Sequence, residues 1–187
     1  GLFLLPWAIP SVVVAMLWII ILHPQYGVLN FILYNLGLIS SPDKVWTLNP
    51  DLAMYSVVIA TVWRWTPFMI MMILAALQSV PEQLTEAARI DGANPLRVLW
   101  HVILPTIRPV IVTAVILGII MNFQLFTIIY NMTQGGPMNR TTTLSIGTYK
   151  MGFLEYNFGQ AAAIGVVWLL SLIIMMTIYN KNRQRIE

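Results

Sequence analysis

Four long apolar runs constrain the fold of this chain more than any other feature. They cover about residues 1–22, 52–77, 107–130 and 158–179, and crossing the hydrocarbon core of a bilayer takes about 20 such residues. Hydrocarbon offers no partner to a backbone amide, so each run must satisfy its hydrogen bonds internally, as an α-helix does. Short strands of alternating polarity, typical of a membrane barrel, are not seen in the sequence. The runs therefore predict an all-α, polytopic membrane helix bundle with about four transmembrane helices.

The composition supports this prediction and excludes several function classes. Only 9% of the 187 residues are charged, against about 25% in soluble domains, so we expect one transmembrane domain over residues 1–187. The ten basic residues are dispersed, whereas a nucleic-acid partner would need them clustered. There is no cysteine to supply a thiolate metal site. Gly1 stands in an apolar run without an initiator Met or a basic segment, so we expect an N-terminally incomplete chain rather than a signal peptide.

The distribution of basic residues predicts the orientation. Six of the ten lie in or at the border of the connection between spans two and three, or in the C-terminal tail: Arg89, Arg97, Arg108, Lys181, Arg183 and Arg185. Three lie in the two opposite connections: Lys44, Arg140 and Lys150. Cytoplasmic connections of membrane proteins are enriched in Lys and Arg. We therefore expect residues 78–105 and the C-terminus in the cytoplasm, and residues 23–51 and 131–157 outside.

Two features mark the outer connections. Residues 26–38 are apolar but too short to span, which predicts a short interfacial helix with Tyr26 and Tyr34 at headgroup depth. Residues 133–137 read Thr-Gln-Gly-Gly-Pro, which predicts a turn.

The cytoplasmic connection contains signals for a first short helix. Ser79 and Glu82 have capping-box spacing, and Pro81 falls in the first turn, where its missing N–H costs little. The helix should then run to Asp91 and stop at Gly92, because glycine adopts the left-handed conformation freely.

A second short helix should begin at Asn94 and Pro95, as N-cap and first helical residue, and end at Pro105. A plain connection would need only a few residues. From the residues alone, two interpretations of this hairpin remain open. One is an interfacial or re-entrant loop that packs on its own bundle, and the other is a docking element for a cytoplasmic partner.

The same segment resembles the EAA motif of binding-protein-dependent ABC importer permeases. The matching residues are Glu86, Ala87, Ala88, Gly92, Leu104 and Pro105. Val102 stands where the motif usually has Ile. The resemblance implies that residues 78–105 form the coupling-helix hairpin, which sits in a cleft of a separate ATPase. Glu86 would then contact the ATPase, Ala87 and Ala88 would allow close approach, and Gly92 would form the bend.

Four further segments resemble the carbohydrate-uptake permeases, of the type of the first permease in maltose and glycerol-3-phosphate systems. These are residues 5–18 (LPWAIPSVVVAMLW), 23–30 (HPQYGVLN), 90–93 (IDGA) and 133–137 (TQGGP). The resemblance implies a permease subunit of an ATP-driven importer for a sugar or sugar derivative. Further N-terminal helices are usual in that family.

The implied partners are a pair of ATP-binding subunits, a second permease subunit and an extracytoplasmic solute-binding protein. The implied location is the inner membrane of a bacterium or archaeon, in contact with lipid. Hydrolysis would take place on the ATPase, so the chain itself is not expected to be an enzyme. Two alternatives remain: the same machinery with a non-sugar solute, and a membrane scaffold without transport.

Arg64 lies near the middle of predicted span two, between Trp63 and Trp65 and roughly 18 Å from either end. An intramembrane arginine should face the bundle interior or a wet cavity. One interpretation places Arg64 on the solute path, with the tryptophans stacking on a sugar ring. The other fixes it to helix carbonyls or to a partner subunit.

Asn122 and Gln124 are polar residues of span three, about 200° apart around a helix. Both cannot face one pore, so one is a candidate solute contact and the other a contact between helices. His23 and His101 fall on opposite predicted sides of the membrane, and there is no GxxxxGK[ST] phosphate loop. We therefore expect no catalytic residue, metal site or cofactor in this chain.

Overall fold

A computed structural model of the chain describes residues 2–183. Gly1 and residues 184–187, which include Arg185 of the predicted cytoplasmic tail, lie outside the described residues. Residues 2–183 form helices and turns without a strand, which confirms the all-α prediction. After a 3-10 turn at Leu2–Leu4, the helices are α1 (Leu5–Ala8), α2 (Ser11–Ile21), α3 (Val28–Asn35), α4 (Ala53–Gln78), α5 (Glu82–Ile90), α6 (Pro95–Val98), α7 (Leu104–Phe123), α8 (Thr127–Thr133), α9 (Leu144–Tyr149) and α10 (Phe158–Arg183).

Three stretches of helix in the described part of the chain are long and apolar enough to cross a membrane. They are Ala53–Gln78, Pro95–Phe123 and Phe158–Thr177. At most 17% of the most apolar window of each is buried within the chain. Their apolar surfaces are therefore available to lipid or to other subunits.

The first apolar run, predicted as a span over residues 1–22, is instead two helices with a break between them. Proline disfavours the helical conformation of the residue before it, and Ile9, before Pro10, has the extended ψ of 135°. Pro10 is itself extended, with ψ 140°. The helix that follows, α2, has 11 residues, fewer than the about 20 that a span requires.

Pro105 does not end a helix, contrary to the prediction. Residues Leu99–Ile103 form a π-helical turn that joins α6 to α7, and the Leu104 N–H donates to the Leu99 carbonyl, five residues back. Proline lacks an N–H and clashes with the carbonyl four residues earlier. The wider turn just before Pro105 lets the chain stay helical from Pro95 to Phe123.

The third apolar run also ends earlier than the predicted residue 130. Helix α7 stops at Phe123, residues 124–126 form a turn, and α8 begins at Thr127. The Ser145 hydroxyl donates to the Leu125 carbonyl at 3.1 Å. A side chain remote in sequence therefore satisfies a backbone acceptor at the break.

The described residues divide into two compact units, and the first comprises residues 2–65 and 124–173. Within it, α2 packs against α8. Its core consists of Val14, Ala15, Leu22, Val57, Ala60, Ile128, Ile129, Met132 and Ile146.

The second unit comprises residues 66–123 and 174–183. Within it, α5 packs against α6 and the π-helical turn. A Cβ on Gly118 would lie 2.5 Å from the methyl carbon of Met69, so the glycine permits that contact. The Thr113 and Tyr179 hydroxyl oxygens are 3.5 Å apart.

Asn30 organises the connection between α2 and α4 and is only 2% exposed. Its amide nitrogen donates to the carbonyls of Lys44 (2.8 Å) and Pro24 (3.2 Å). Its amide oxygen accepts a hydrogen bond of 2.6 Å from the Trp46 indole. Three segments of the connection are thus held by one buried side chain.

We expect Asn30→Ala to lower the free energy of unfolding by about 1–3 kcal/mol, because it leaves a buried indole N–H and two carbonyls without their partner. The matched control is Asn35→Ala, whose exposed amide donates only to the Phe31 carbonyl on its own helix. The control should change stability by less than about 0.5 kcal/mol. Denaturant titration in detergent measures both, and equal losses would contradict the role given to Asn30.

Candidate functional site

The α5–α6 hairpin (residues 79–105) contains the residues predicted to contact a partner. The predicted capping box at its start does not form: Pro81 is the N-cap of α5, without a side-chain hydrogen bond. The Ser79 hydroxyl instead donates to the Ala76 carbonyl at 2.7 Å. Because α4 continues to Gln78, Ser79 lies at the C-terminal end of that helix rather than at the start of the next.

Gly92 ends α5 in a Schellman motif, the bend that the sequence predicts. Its φ is +82°, a conformation that favours glycine because a Cβ would crowd the backbone. The Gly92 N–H donates to the Arg89 carbonyl and the Ala93 N–H to the Ala88 carbonyl, both at 3.0 Å. This is the hydrogen-bond pair that defines the motif.

Asn94 starts the second helix of the hairpin. Its side-chain oxygen accepts a hydrogen bond of 2.8 Å from the Arg97 N–H, and Pro95 occupies the first turn. Val98 is buried, and α5 packs against both α6 and the π-helical turn. The hairpin is therefore a folded element, not an open loop.

The hairpin exposes apolar and small residues together with three acidic ones, Glu82, Glu86 and Asp91. Glu86 and Ala87 are exposed and Ala88 is half-buried. Exposed apolar side chains on the same hairpin include Ile90 at 86% and Leu96 at 66%. Exposed apolar surface that is contiguous marks contact sites, and small residues allow a partner helix to approach closely. The hairpin can thus bind another protein through shape and apolar contact.

Leu104 and Pro105, the last two residues of the predicted contact set, lie apart from α5. They are the first two residues of α7, beyond the π-helical turn. Leu104 is half-buried and Pro105 is exposed. Their position fits a role at the junction between hairpin and spanning helix.

Arg64 lies near the middle of α4, with Trp63 and Trp65 beside it. Its Nε is buried and has no hydrogen-bond partner among residues 2–183. Its Cζ lies 5.3 Å from the centroid of the Trp65 ring, within the range of a cation–π contact. The Trp63 ring packs edge-on against Trp18, with centroids 6.0 Å apart.

Asn122 and Gln124 do not share a helix, so their predicted separation around one helix axis is wrong. Asn122 is on α7, and its amide nitrogen donates to the Gly118 carbonyl at 2.7 Å. Gln124 lies in the turn after α7. Both side chains are exposed.

The first unit contains an aromatic cluster that the sequence does not predict. The ring of Phe126 stacks on Tyr130 at 5.1 Å, Tyr149 meets Tyr130 edge-on at 5.0 Å, and Phe153 stacks on Tyr149 at 5.4 Å. Phe126 and Tyr130 are four residues apart, as are Tyr149 and Phe153, and this spacing places the two rings of each pair on one face of a helix. That the two faces meet could not be read from sequence. Within residues 2–183, no cluster of three or more His, Asp and Glu side chains is placed to hold a metal ion.

Comparison with known proteins gives a family match over the whole chain, residues 1–187, to the "Binding-protein-dependent transport system inner membrane component". The trehalose/maltose transport system permease protein MalF of Thermococcus litoralis is 37% identical over 174 residues, or 93% of this chain and 57% of the relative. The sulfoquinovosyl glycerol transport system permease protein SmoG of Agrobacterium fabrum is 36% identical, over 91% of this chain and 55% of the relative.

The sn-glycerol-3-phosphate transport system permease protein UgpA of Yersinia enterocolitica is 38% identical, over 95% of this chain and 59% of the relative. The chain thus spans a little over half the length of these relatives. In fold it is similar to a chain of a bacterial ABC transporter that imports alginate, with a TM-score of 0.76 at 24% identity, over 97% of this chain and 63% of the other.

We expect Gly92→Val to raise the amide exchange rates at positions 92 and 93 by about 5- to 30-fold, because a side chain at positive φ costs about 1–2 kcal/mol. Open space surrounds the position, with no atom within 4 Å of an added Cβ, so the effect isolates backbone strain. Ala93→Val, one residue further on, is the matched control and should leave exchange within about twofold. Hydrogen exchange with mass spectrometry measures both. Unchanged exchange in Gly92→Val would show that the bend does not depend on glycine.

Proposed function

Because the chain belongs to the family of binding-protein-dependent transport system inner membrane components, we propose that it is the transmembrane subunit of an ATP-driven importer for a sugar or sugar derivative. The observation that carries the proposal is the preformed hairpin that exposes Glu86, Ala87 and the bend at Gly92. The relatives' names support the solute class, since they specify trehalose or maltose, sulfoquinovosyl glycerol and sn-glycerol 3-phosphate.

In this proposal the α5–α6 hairpin docks in a cleft of a separate ATP-binding subunit, and hydrolysis takes place there. Glu86 contacts the ATPase, and Ala87 and Ala88 let its surface approach the α5 backbone. The exposed apolar side chains of Ile90 and Leu96 would be covered on docking, which supplies a hydrophobic contribution to binding.

A movement of the ATPase would be passed to the membrane-spanning helices because α6 of the hairpin and α7 are parts of one continuous helical segment. From Pro95 to Phe123 the chain is one helical stretch of 29 residues, and Leu104 and Pro105 lie where it leaves the hairpin. Helix α5 packs against the start of this stretch. A rigid displacement of α5 would therefore displace α7. Import follows if ATP binding and hydrolysis favour different global states of the permease, one open inward and one open outward.

The solute path is proposed to include Arg64, Trp63 and Trp65. The Arg64 Nε is buried and unpaired among the described residues, and the indole rings offer flat apolar faces of the kind on which sugar rings stack. Gln124 and Asn122 remain predicted path residues. For Asn122 a role within its own helix competes, since its amide already bonds the Gly118 carbonyl.

The proposed partners complete the machine. They are a pair of ATP-binding subunits, a second permease subunit and an extracytoplasmic solute-binding protein. The assembly lies in the inner membrane of a bacterium or archaeon, in contact with lipid, with the α5–α6 hairpin and the C-terminus in the cytoplasm. The alternatives are the same machine with a non-sugar solute and a membrane scaffold without an ATPase.

We expect Glu86→Arg to reduce the ATP-binding subunit that co-purifies from solubilised membranes by about tenfold, because it reverses a charge at the proposed contact. Glu155→Arg is the matched control: Glu155 is also exposed but lies in a connection predicted to be outside, and its reversal should leave co-purification unchanged. Mass spectrometry identifies the associated chains. Absence of any ATPase from the unaltered protein would contradict the proposed function and favour the scaffold.

A further inference from the structure

Arg64 lies deep within a helix of spanning length. By a rise of 1.5 Å per residue it is about 17 Å from the Ala53 end of α4 and about 21 Å from the Gln78 end. The side chain is too short to carry its charge over that distance to bulk water. A charged group at this depth must be balanced by a partner or by water within the protein.

The apolar helices of this chain contain no acidic residue that could balance Arg64. All seven acidic residues lie in the connections between the apolar helices or in the C-terminal tail: Asp43, Asp51, Glu82, Glu86, Asp91, Glu155 and Glu187. Asp51 is the nearest of these along the chain, and it lies before the first turn of α4. Any counter-charge for Arg64 therefore comes from outside the apolar helices of this chain.

Two buried donors of the first unit also lack an acceptor. The Nε of Arg64 and the indole Nε1 of Trp18 are both buried without a hydrogen-bond partner among residues 2–183. Both groups can donate and neither can accept. The ring of Trp63 links them, since it is adjacent to Arg64 in the chain and packs against the Trp18 ring at 6.0 Å. A partner for either group must therefore supply a hydrogen-bond acceptor.

We propose that Arg64 binds the anionic group of an acidic solute, a sugar or polyol that carries a carboxylate, phosphate or sulfonate. A guanidinium pairs with such groups through two parallel hydrogen bonds. The Trp65 ring lies 5.3 Å from the Arg64 Cζ, within the range of a cation–π contact, and Trp63 would supply an apolar surface for the carbon skeleton. The inference rests on the proposed function and specifies its solute as an anion.

The test compares two probes that differ in one group. Glucuronate carries a carboxylate where glucose carries a hydroxymethyl group. Binding of each, radiolabelled, is measured by equilibrium dialysis against the chain purified in nanodiscs with its co-purifying subunits but without the solute-binding protein, whose own selectivity would otherwise dominate. We expect the unaltered protein to bind glucuronate at least about tenfold more tightly than glucose.

Substitutions assign the preference to the guanidinium. Arg64→Gln should bring the two affinities within about twofold of each other. Arg64→Lys should keep only part of the preference, because lysine keeps the charge but cannot form the two parallel hydrogen bonds. Arg140→Gln removes an exposed arginine from the connection between α8 and α9 and should leave the preference for glucuronate unchanged. Each variant is compared at equal amounts of intact complex, determined by size-exclusion chromatography.

Three outcomes would overturn the inference: equal affinity of the unaltered protein for both probes, no binding of glucuronate, or a preference that survives Arg64→Gln. Loss of the second permease subunit from Arg64→Gln, together with equal affinity in the unaltered protein, would assign the counter-charge to that subunit instead.

The proposed function is tested separately by ATPase co-purification with Glu86→Arg. A glucuronate preference without any ATPase would contradict the proposed function alone, and equal affinity with an ATPase bound would contradict this inference alone.

Discussion

Every backbone amide in hydrocarbon must find its partner within the protein, and the architecture of this chain depends on that requirement. It explains why the apolar runs are helical and why the prolines within them matter. Pro67 is buried inside α4 without ending it, Pro105 is accommodated by a π-helical turn, and Pro10 separates two helices. One missing N–H thus has three outcomes: a helix that continues, a π-helical turn, and a break between two helices.

Sequence predicted best what depends on a few adjacent residues. The bend at Gly92 could be read in advance because a positive φ is a local demand that one residue type meets, and Asn94 followed by Pro95 is a local start signal that the structure uses. Helix α4 was found by length and apolarity alone. The capping box does not form although its spacing is right, because the Ser79 hydroxyl donates to the Ala76 carbonyl at the end of the preceding helix.

Contacts between residues far apart in sequence could not be read. The hydrogen bonds of Asn30 form only if the chain at Lys44 and Trp46 folds back against α3. The aromatic cluster forms only if α8 and α9 lie side by side. Each depends on the path of a connection, which hydropathy does not constrain. The candidate site divides in the same way: the motif residues Glu86 to Gly92 are adjacent and were identified, whereas the unpaired state of the Arg64 and Trp18 donors was visible only in the structure.

The two proposals draw on opposite properties of the same polypeptide. The α5–α6 hairpin is closed by a Schellman motif and a capped second helix, and in our interpretation it transmits force because these hydrogen bonds make it a folded element. Arg64 binds a solute, in our interpretation, because its hydrogen bonds are incomplete. Satisfied groups make an element rigid, and unsatisfied groups make a site that a ligand stabilises. An importer requires both, and α4 connects them along the chain, since it contains Arg64 and ends one short turn before α5.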